Sequence, residues 1–232
     1  NQNTAQNSIL VLIQKTSKTF QKSFFALLLL VGISGGVWGQ TAGFNNTFAI
    51  LSLNGGANAY YDLNATTANT DFNGTNLGSF NPVSNSLTLK GAEHNVWKCN
   101  GCDLTSTRLN YRIYSTTGTA GTFVQMNVPY TSTVANGCGG ADQVWSATGN
   151  SVNVLSGLAP GTYYLEVYSD ATVTCTGGTV YATNGGANYK ATFTVSSYVT
   201  TNSGSGLAAT YSTLAAAITA LNAATITSPV VI

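Results

Sequence analysis

From Phe48 to about Ser197 the chain reads as short apolar runs broken by turn residues, the pattern of many strands rather than of helices. Phe48–Leu53 is followed by Asn54-Gly55-Gly56, Tyr60–Leu63 comes next, and Ser86–Lys90 precedes Gly91. Each run has about 4–8 residues, as strands do. Alternation is cleanest in Arg108–Tyr114: Leu109, Tyr111 and Ile113 point one way, Arg108, Asn110 and Arg112 the other, which predicts a half-buried antiparallel strand. Ala191–Val195 repeats it, with Phe193 and Val195 inward and Thr192 and Thr194 outward, and serves as the last strand. In Leu158–Tyr168, Pro160-Gly161 sets a turn and a strand opens on Tyr163, with Leu165 and Val167 on the same face.

Beyond Val195 the texture changes. Ser196–Gly206 has linker composition, and Tyr211–Asn222 has the 3.6-residue period of a helix. Leu214, Ile218 and Leu221 form its apolar face, Ser212 is placed to cap its start, and Asn222 to end it in αL. A strand, Val230–Ile232, is expected after it. The chain begins at Asn1 without Met and stops in that apolar run, so it is expected to be the front end of a longer protein.

Residues 1–39 change the charge picture. Lys15, Lys18 and Lys22 precede the apolar run Phe24–Val31, and small residues follow up to a cut expected near Gly39/Gln40, the layout of a cleaved signal peptide. The run is shorter than the ~20 apolar residues of a membrane span and is broken by glycines. Of eight Lys/Arg three leave with the leader, while all seven Asp/Glu stay, so the mature chain carries 5 − 7 = −2. A secreted or outer-surface location is expected, with no nucleic-acid partner, no anionic-lipid stripe and no membrane span in the mature chain. The mature part is rich in Thr, Asn, Ser and Gly, yet apolar enough to bury a core.

Export makes disulfides the default for the four cysteines, Cys99, Cys102, Cys138 and Cys175. Asn100-Gly101 is a strong two-residue hairpin turn that brings Cys99 and Cys102 together, so Cys99–Cys102 with Cys138–Cys175 is favoured; the two other pairings stay open. Zinc held by His94 with the cysteines lacks a second ligand pair at metal spacing, and a thioredoxin-like role for the CxxC lacks a helix. Gly204-Ser-Gly206 before the helix lacks the acidic residue of a dinucleotide fingerprint. Asp62/Asn64 and Asp71/Asn73 are a calcium alternative to ordinary Asn/Asp turns, without the closing Glu of the best-known calcium loop. No other cofactor is expected.

For catalysis the inventory is one His, two Glu and five Asp, with no nucleophile elbow, so no catalytic residue is assigned and His94 is read as a surface or turn residue beside Trp97. Paired-carboxylate chemistry through Glu93 with Glu166 or Asp142 has no supporting pattern. Trp97, Trp145 and Asp142 are the candidate contacts for a sugar ring.

Three stretches carry resemblances. Ala92–Tyr114, Gly137–Trp145 and the Leu-x-Pro-Gly-Thr-Tyr corner leading to Asn188–Val195 resemble a β-sandwich module at the front of large secreted or surface proteins of Gram-negative gliding bacteria. The corner is also similar to the bacterial pre-peptidase C-terminal domain, and in immunoglobulin-like sandwiches such a Tyr bonds back to the preceding turn. Residues 207–232 resemble the capping helix and first strand of a pectate-lyase-like parallel β-helix. The expectation is therefore an all-β, immunoglobulin-like or jelly-roll-like antiparallel sandwich over 48–198, after a linker at 40–47 and before a linker, one short helix and a truncated β-helix start at 199–232. The resemblance implies a non-catalytic accessory module with a structural or adhesive role at the cell surface. The alternative is a carbohydrate-binding module, with extracellular polysaccharide as partner, serving a downstream polysaccharide-degrading β-helix.

Overall fold

The computed structural model describes residues 42–232 apart from 100, 139 and 176, so the expected signal peptide lies outside the described residues. Two six-stranded sheets stack their apolar faces, as alternating strands require. The first sheet runs in the order β2 (Ala59–Asp62), β1 (Ala42–Leu53), β4 (Leu87–Lys98), β8 (Ala141–Ala147), β7 (Tyr130–Ala135), with β9 (Val152–Asn153) also on β4. The second runs β3 (Asn76–Phe80), β12 (Tyr189–Val195), β10 (Gly161–Val173), β5 (Leu104–Ser115), β6 (Val124–Val128), with β11 (Thr179–Ala182) on β10. Pairing is antiparallel throughout except between β3 and β12. The all-β sandwich read from the periodicity is the observed fold.

The inward faces follow the period of two. Leu109 on β5, Leu165 and Val167 on β10, and Phe193 and Val195 on β12 are buried against Leu51 of β1 and Leu89 and Val96 of β4. The Pro-Gly corner also forms: Tyr163 donates its hydroxyl to the Ala159 carbonyl at 2.8 Å and stacks on Phe193 with ring centroids 5.7 Å apart. Gly91, at φ +139°, sits at a register shift between β1 and β4, where a β-carbon would overlap the Ala147 carbonyl of β8.

Here the favoured disulfide pairing is overturned. The bridges are Cys99–Cys138 and Cys102–Cys175, with Cα–Cα distances of 5.2 and 4.9 Å. The reason is topological. The Cys99–Cys102 turn does not close a hairpin, because β4 belongs to one sheet and β5 to the other. Cys99 leaves the first sheet beside the β7–β8 loop, and Cys102 enters the second beside the β10–β11 loop, so each sulfur meets a partner from its own layer. Lys98 and Asp103 close the same crossover with a 2.8 Å ion pair. Loops of 39 and 73 residues constrain the unfolded chain by roughly 4 kcal/mol each taken singly, more than twice what a CxxC bridge would give.

After the sandwich, β13 (Val199–Thr200) pairs with β14 (Thr210–Tyr211), and α1 (Leu214–Ala223) follows. Three details differ from the sequence reading. Thr213, not Ser212, caps the helix by accepting from the Ala216 N–H, and the helix ends on Ala224 in extended backbone rather than on an αL Asn222. The helix packs through Ala217, while Leu214 and Ile218 face outward. Val230–Ile232 has no ladder; Val231 exchanges hydrogen bonds with Asn202 instead.

Two outcomes test this fold. Non-reducing peptide mapping of the oxidised protein should yield Cys99–Cys138 and Cys102–Cys175 peptides, and a Cys99–Cys102 bridge would refute the crossover. Gly91→Ala should cost about 2–3 kcal/mol in urea unfolding, whereas Gly149→Ala, in open space, should cost well under 1.

Candidate functional site

The only histidine is the first place to look for chemistry, and it is not where the sequence reading put it. His94 lies on β4 in phase with Ala92 and Val96, so the pleat turns it into the core, where it is fully buried. Its imidazole spans the sheets. Ser169 of β10 stands 2.9 Å from Nε2, Thr107 of β5 stands 3.2 Å from Nδ1, and the Phe44 ring packs edge-on at 5.4 Å. Proton bookkeeping fixes the tautomer. Thr107 gives its one hydroxyl proton to the Val128 carbonyl, so Nδ1–H donates to Thr107 and Nε2 accepts from Ser169.

A serine 2.9 Å from an imidazole has nucleophile–base geometry. The third partner, however, is a hydroxyl rather than a carboxylate, and Ser169, His94 and Thr107 are all at most 1% exposed, out of reach of a substrate. Burial lowers the His94 pKa to about 3.

The candidate sugar contacts separate. Trp145 pairs with His94 across β8 and β4 and is buried at 8% exposure, its indole N–H donating to Gln143 at 3.1 Å and its ring meeting Tyr130. Trp97 lies half-buried on the opposite face of the same sheet, its indole laid on Gly43, where a β-carbon would come within 2.8 Å of Nε1. Asp142 accepts from Asn136 at 2.5 Å and Asn45 at 3.1 Å. Trp145 is thus set apart from Trp97 and Asp142, which alternate onto the outer face of the sheet on the adjoining strands β4 and β8.

Three of the four calcium candidates, Asn64, Asp71 and Asn73, meet at one pocket, while Asp62 is held in a turn. The Asp62 carboxylate accepts from the backbone N–H groups of Asn64, Thr66 and Thr67 and from the Thr67 hydroxyl, a closed turn that outweighs burial and lowers its pKa. Asn64 and Asn73 line a pocket of about 400 Å³ with Leu63, Ala65, Asp71, Asn184 and Tyr189, but their side-chain oxygens already accept from Tyr189 and from the Lys190 N–H.

The richest polar cluster, unmarked in the sequence reading, is the outer face of the second sheet. Arg108 binds Asp170 at 2.8 Å, and Asn110 donates to the same carboxylate at 2.7 Å. Glu166 takes Arg112 at 2.7 Å, Tyr114 at 2.6 Å and Asn188 at 2.7 Å. Burial alone would raise the Glu166 pKa, but these donors outweigh it and hold the carboxyl ionised; burial, then the bond to Glu166, pushes the Tyr114 pKa to about 12. Asn110, Glu166 and Asp170 are buried on a face expected to be solvated, because pairing permits what isolated charges could not bear. Rings stand around them: Phe123 meets Tyr168 edge-on at 4.8 Å, the Arg112 guanidinium lies 4.2 Å from Phe123, and Tyr114 tilts against Tyr164 at 5.5 Å. The signal was available as acidic residues in phase with tyrosines, Tyr164-x-Glu166-x-Tyr168-x-Asp170.

The sign of the pH effect follows from His94. Its folded pKa lies below the free value of ~6.5, so the unfolded chain binds the proton first, and stability complete above that pH is lost as pH falls toward 3. Asp62, Asp103 and Glu166, held below ordinary carboxylate values, lose their contribution mainly below about pH 5. Chemical unfolding should show the protein losing roughly 2–3 kcal/mol between pH 6.5 and 4.5. His94→Gln should be less stable at pH 7 by about 2 kcal/mol and nearly flat over that window; an unchanged slope would assign it to other groups.

No protein-family model, no curated protein and no solved structure matches the chain, so a functional reading rests on these side chains.

Proposed function

We propose that this chain is a non-catalytic accessory module of an exported protein, with a structural or adhesive role at the cell surface. The observation that carries the reading is the use of its ionisable groups. The imidazole is sealed between the sheets, Asp62 closes a turn, Asp103 pairs with Lys98, Glu166 and Asp170 hold two arginines, Asp142 takes two asparagines, and Glu93 accepts from Ser146. Among the described residues this leaves Asp71, on the rim of the pocket, and one carboxylate has no partner for acid–base work. The two disulfides mark folding in an oxidising, non-cytoplasmic compartment, and among the described residues no helix is long and apolar enough to cross a membrane. A polymer-binding version of this role can no longer use Trp145, which faces the core.

The chain should release no reducing ends from neutral or acidic polysaccharides. Glu166→Gln should lower stability by about 2–3 kcal/mol, by leaving Arg112 short of its charge partner. Polysaccharide turnover that this substitution abolishes at unchanged melting temperature would make Glu166 catalytic and defeat the reading.

A further inference from the structure

The outer face of the second sheet contains a polar pair that the fold itself leaves unmet. Asn110 and Arg112 are two residues apart on β5 and point out of the same face. Asn110 is fully buried, and its Oδ1 accepts no hydrogen bond; Arg112 Nε, also buried, donates none. One is an acceptor without a donor, the other a donor without an acceptor. Leaving such atoms dry is unfavourable, because each has given up its hydrogen bonds to water without replacement. A hydroxyl is the group that can both donate to such an acceptor and accept from such a donor.

Aromatic rings frame the pair. By strand register Phe123 stands beside Arg112, Tyr168 opposite Asn110, and Tyr181 opposite Asp170, so the three rings form an oblique strip crossing β6, β5, β10 and β11. At ordinary strand spacing it is about 14 Å wide. Phe123 and Tyr168 are half-buried, and Tyr181 is 59% exposed. Phe123 follows the Thr116–Thr122 loop, and its ring lies 4.2 Å from the Arg112 guanidinium.

Charge narrows the ligand. Arg108 and Arg112 are paired with Asp170 and Glu166, and Lys190, the third cation of this face, stands 4.0 Å from the same Glu166, so each cation already has a carboxylate, and an anion's lone pairs would face the Asn110 oxygen. A hydrocarbon could stack on the rings but would leave both polar atoms unmet. The class that joins an apolar C–H face to hydroxyls that both donate and accept is the sugars. We propose that this strip is a binding site for a neutral saccharide chain, with Phe123, Tyr168 and Tyr181 as the stacking surface and Asn110 and Arg112 as the hydroxyl-reading floor. The proposal goes beyond the non-catalytic reading, and either can fail without the other, since turnover is read by reducing ends and binding by migration.

The test is affinity electrophoresis of the full chain through gels holding xyloglucan, galactomannan or mixed-linkage β-glucan, with polygalacturonate as the anionic comparison. At least one neutral polymer should retard the protein. Tyr181→Ala, a change at an exposed ring that leaves the fold intact, and Phe123→Ala should each weaken that retardation about fivefold or more, the size of one aromatic contact. Trp97→Ala, on the other sheet, should bind as the parent does. Migration unaffected by all three neutral polymers, retardation by polygalacturonate alone, or loss of binding with Trp97→Ala but not with Tyr181→Ala would overturn the proposal.

Discussion

A neutral imidazole joins the two layers of this sandwich. His94 projects from the first sheet and is met from the second by Ser169 and Thr107, and the three side chains satisfy one another only with the proton on Nδ1. The arrangement fixes which strands face each other at the centre of the core, since an imidazole displaced by one residue would turn to solvent and leave the Ser169 hydroxyl unpaired. Phe44 and Trp145 pack around it as ordinary core rings, so the position that looks most like a catalytic pair is a fastener.

The same economy governs the other polar groups. Where the chain crosses between sheets, a disulfide on each side and the Lys98–Asp103 pair hold the passage. On the outer face of the second sheet, two buried carboxylates are tolerated because each is held by an arginine and by amide or phenol donors. These bonds tie the side chains of that face to one another across neighbouring strands. Among the buried side-chain atoms described on this face, Asn110 Oδ1 and Arg112 Nε are the ones without a partner.

Much of the sandwich was legible as alternation. Arg108–Tyr114 and Ala191–Val195 point as their period of two requires, and the Pro160-Gly161 corner delivers Tyr163 to Ala159. What was not legible depends on which sheet a strand joins. Asn-Gly between two cysteines reads locally as a hairpin, yet β4 and β5 belong to different layers, so the disulfides pair outward. The helix was visible, but not that its apolar stripe would face outward while a small residue, Ala217, made the contact. His94 was misplaced because its residue type was weighed above its phase with Ala92 and Val96. The outer-face cluster stayed hidden because burial of Glu166 and Asp170 arises from partners on neighbouring strands.

The central claim is that the one group best suited to acid–base chemistry is locked neutral inside the fold. Following the His94 ring by NMR in the folded protein as pH is lowered tests it directly. A single Nδ1–H tautomer should persist through pH 5, with titration only near 3, at the edge of acid unfolding. An imidazole that titrates near 6.5 while the protein stays folded would contradict the account, because a ring in contact with water could not be the bridge between these sheets.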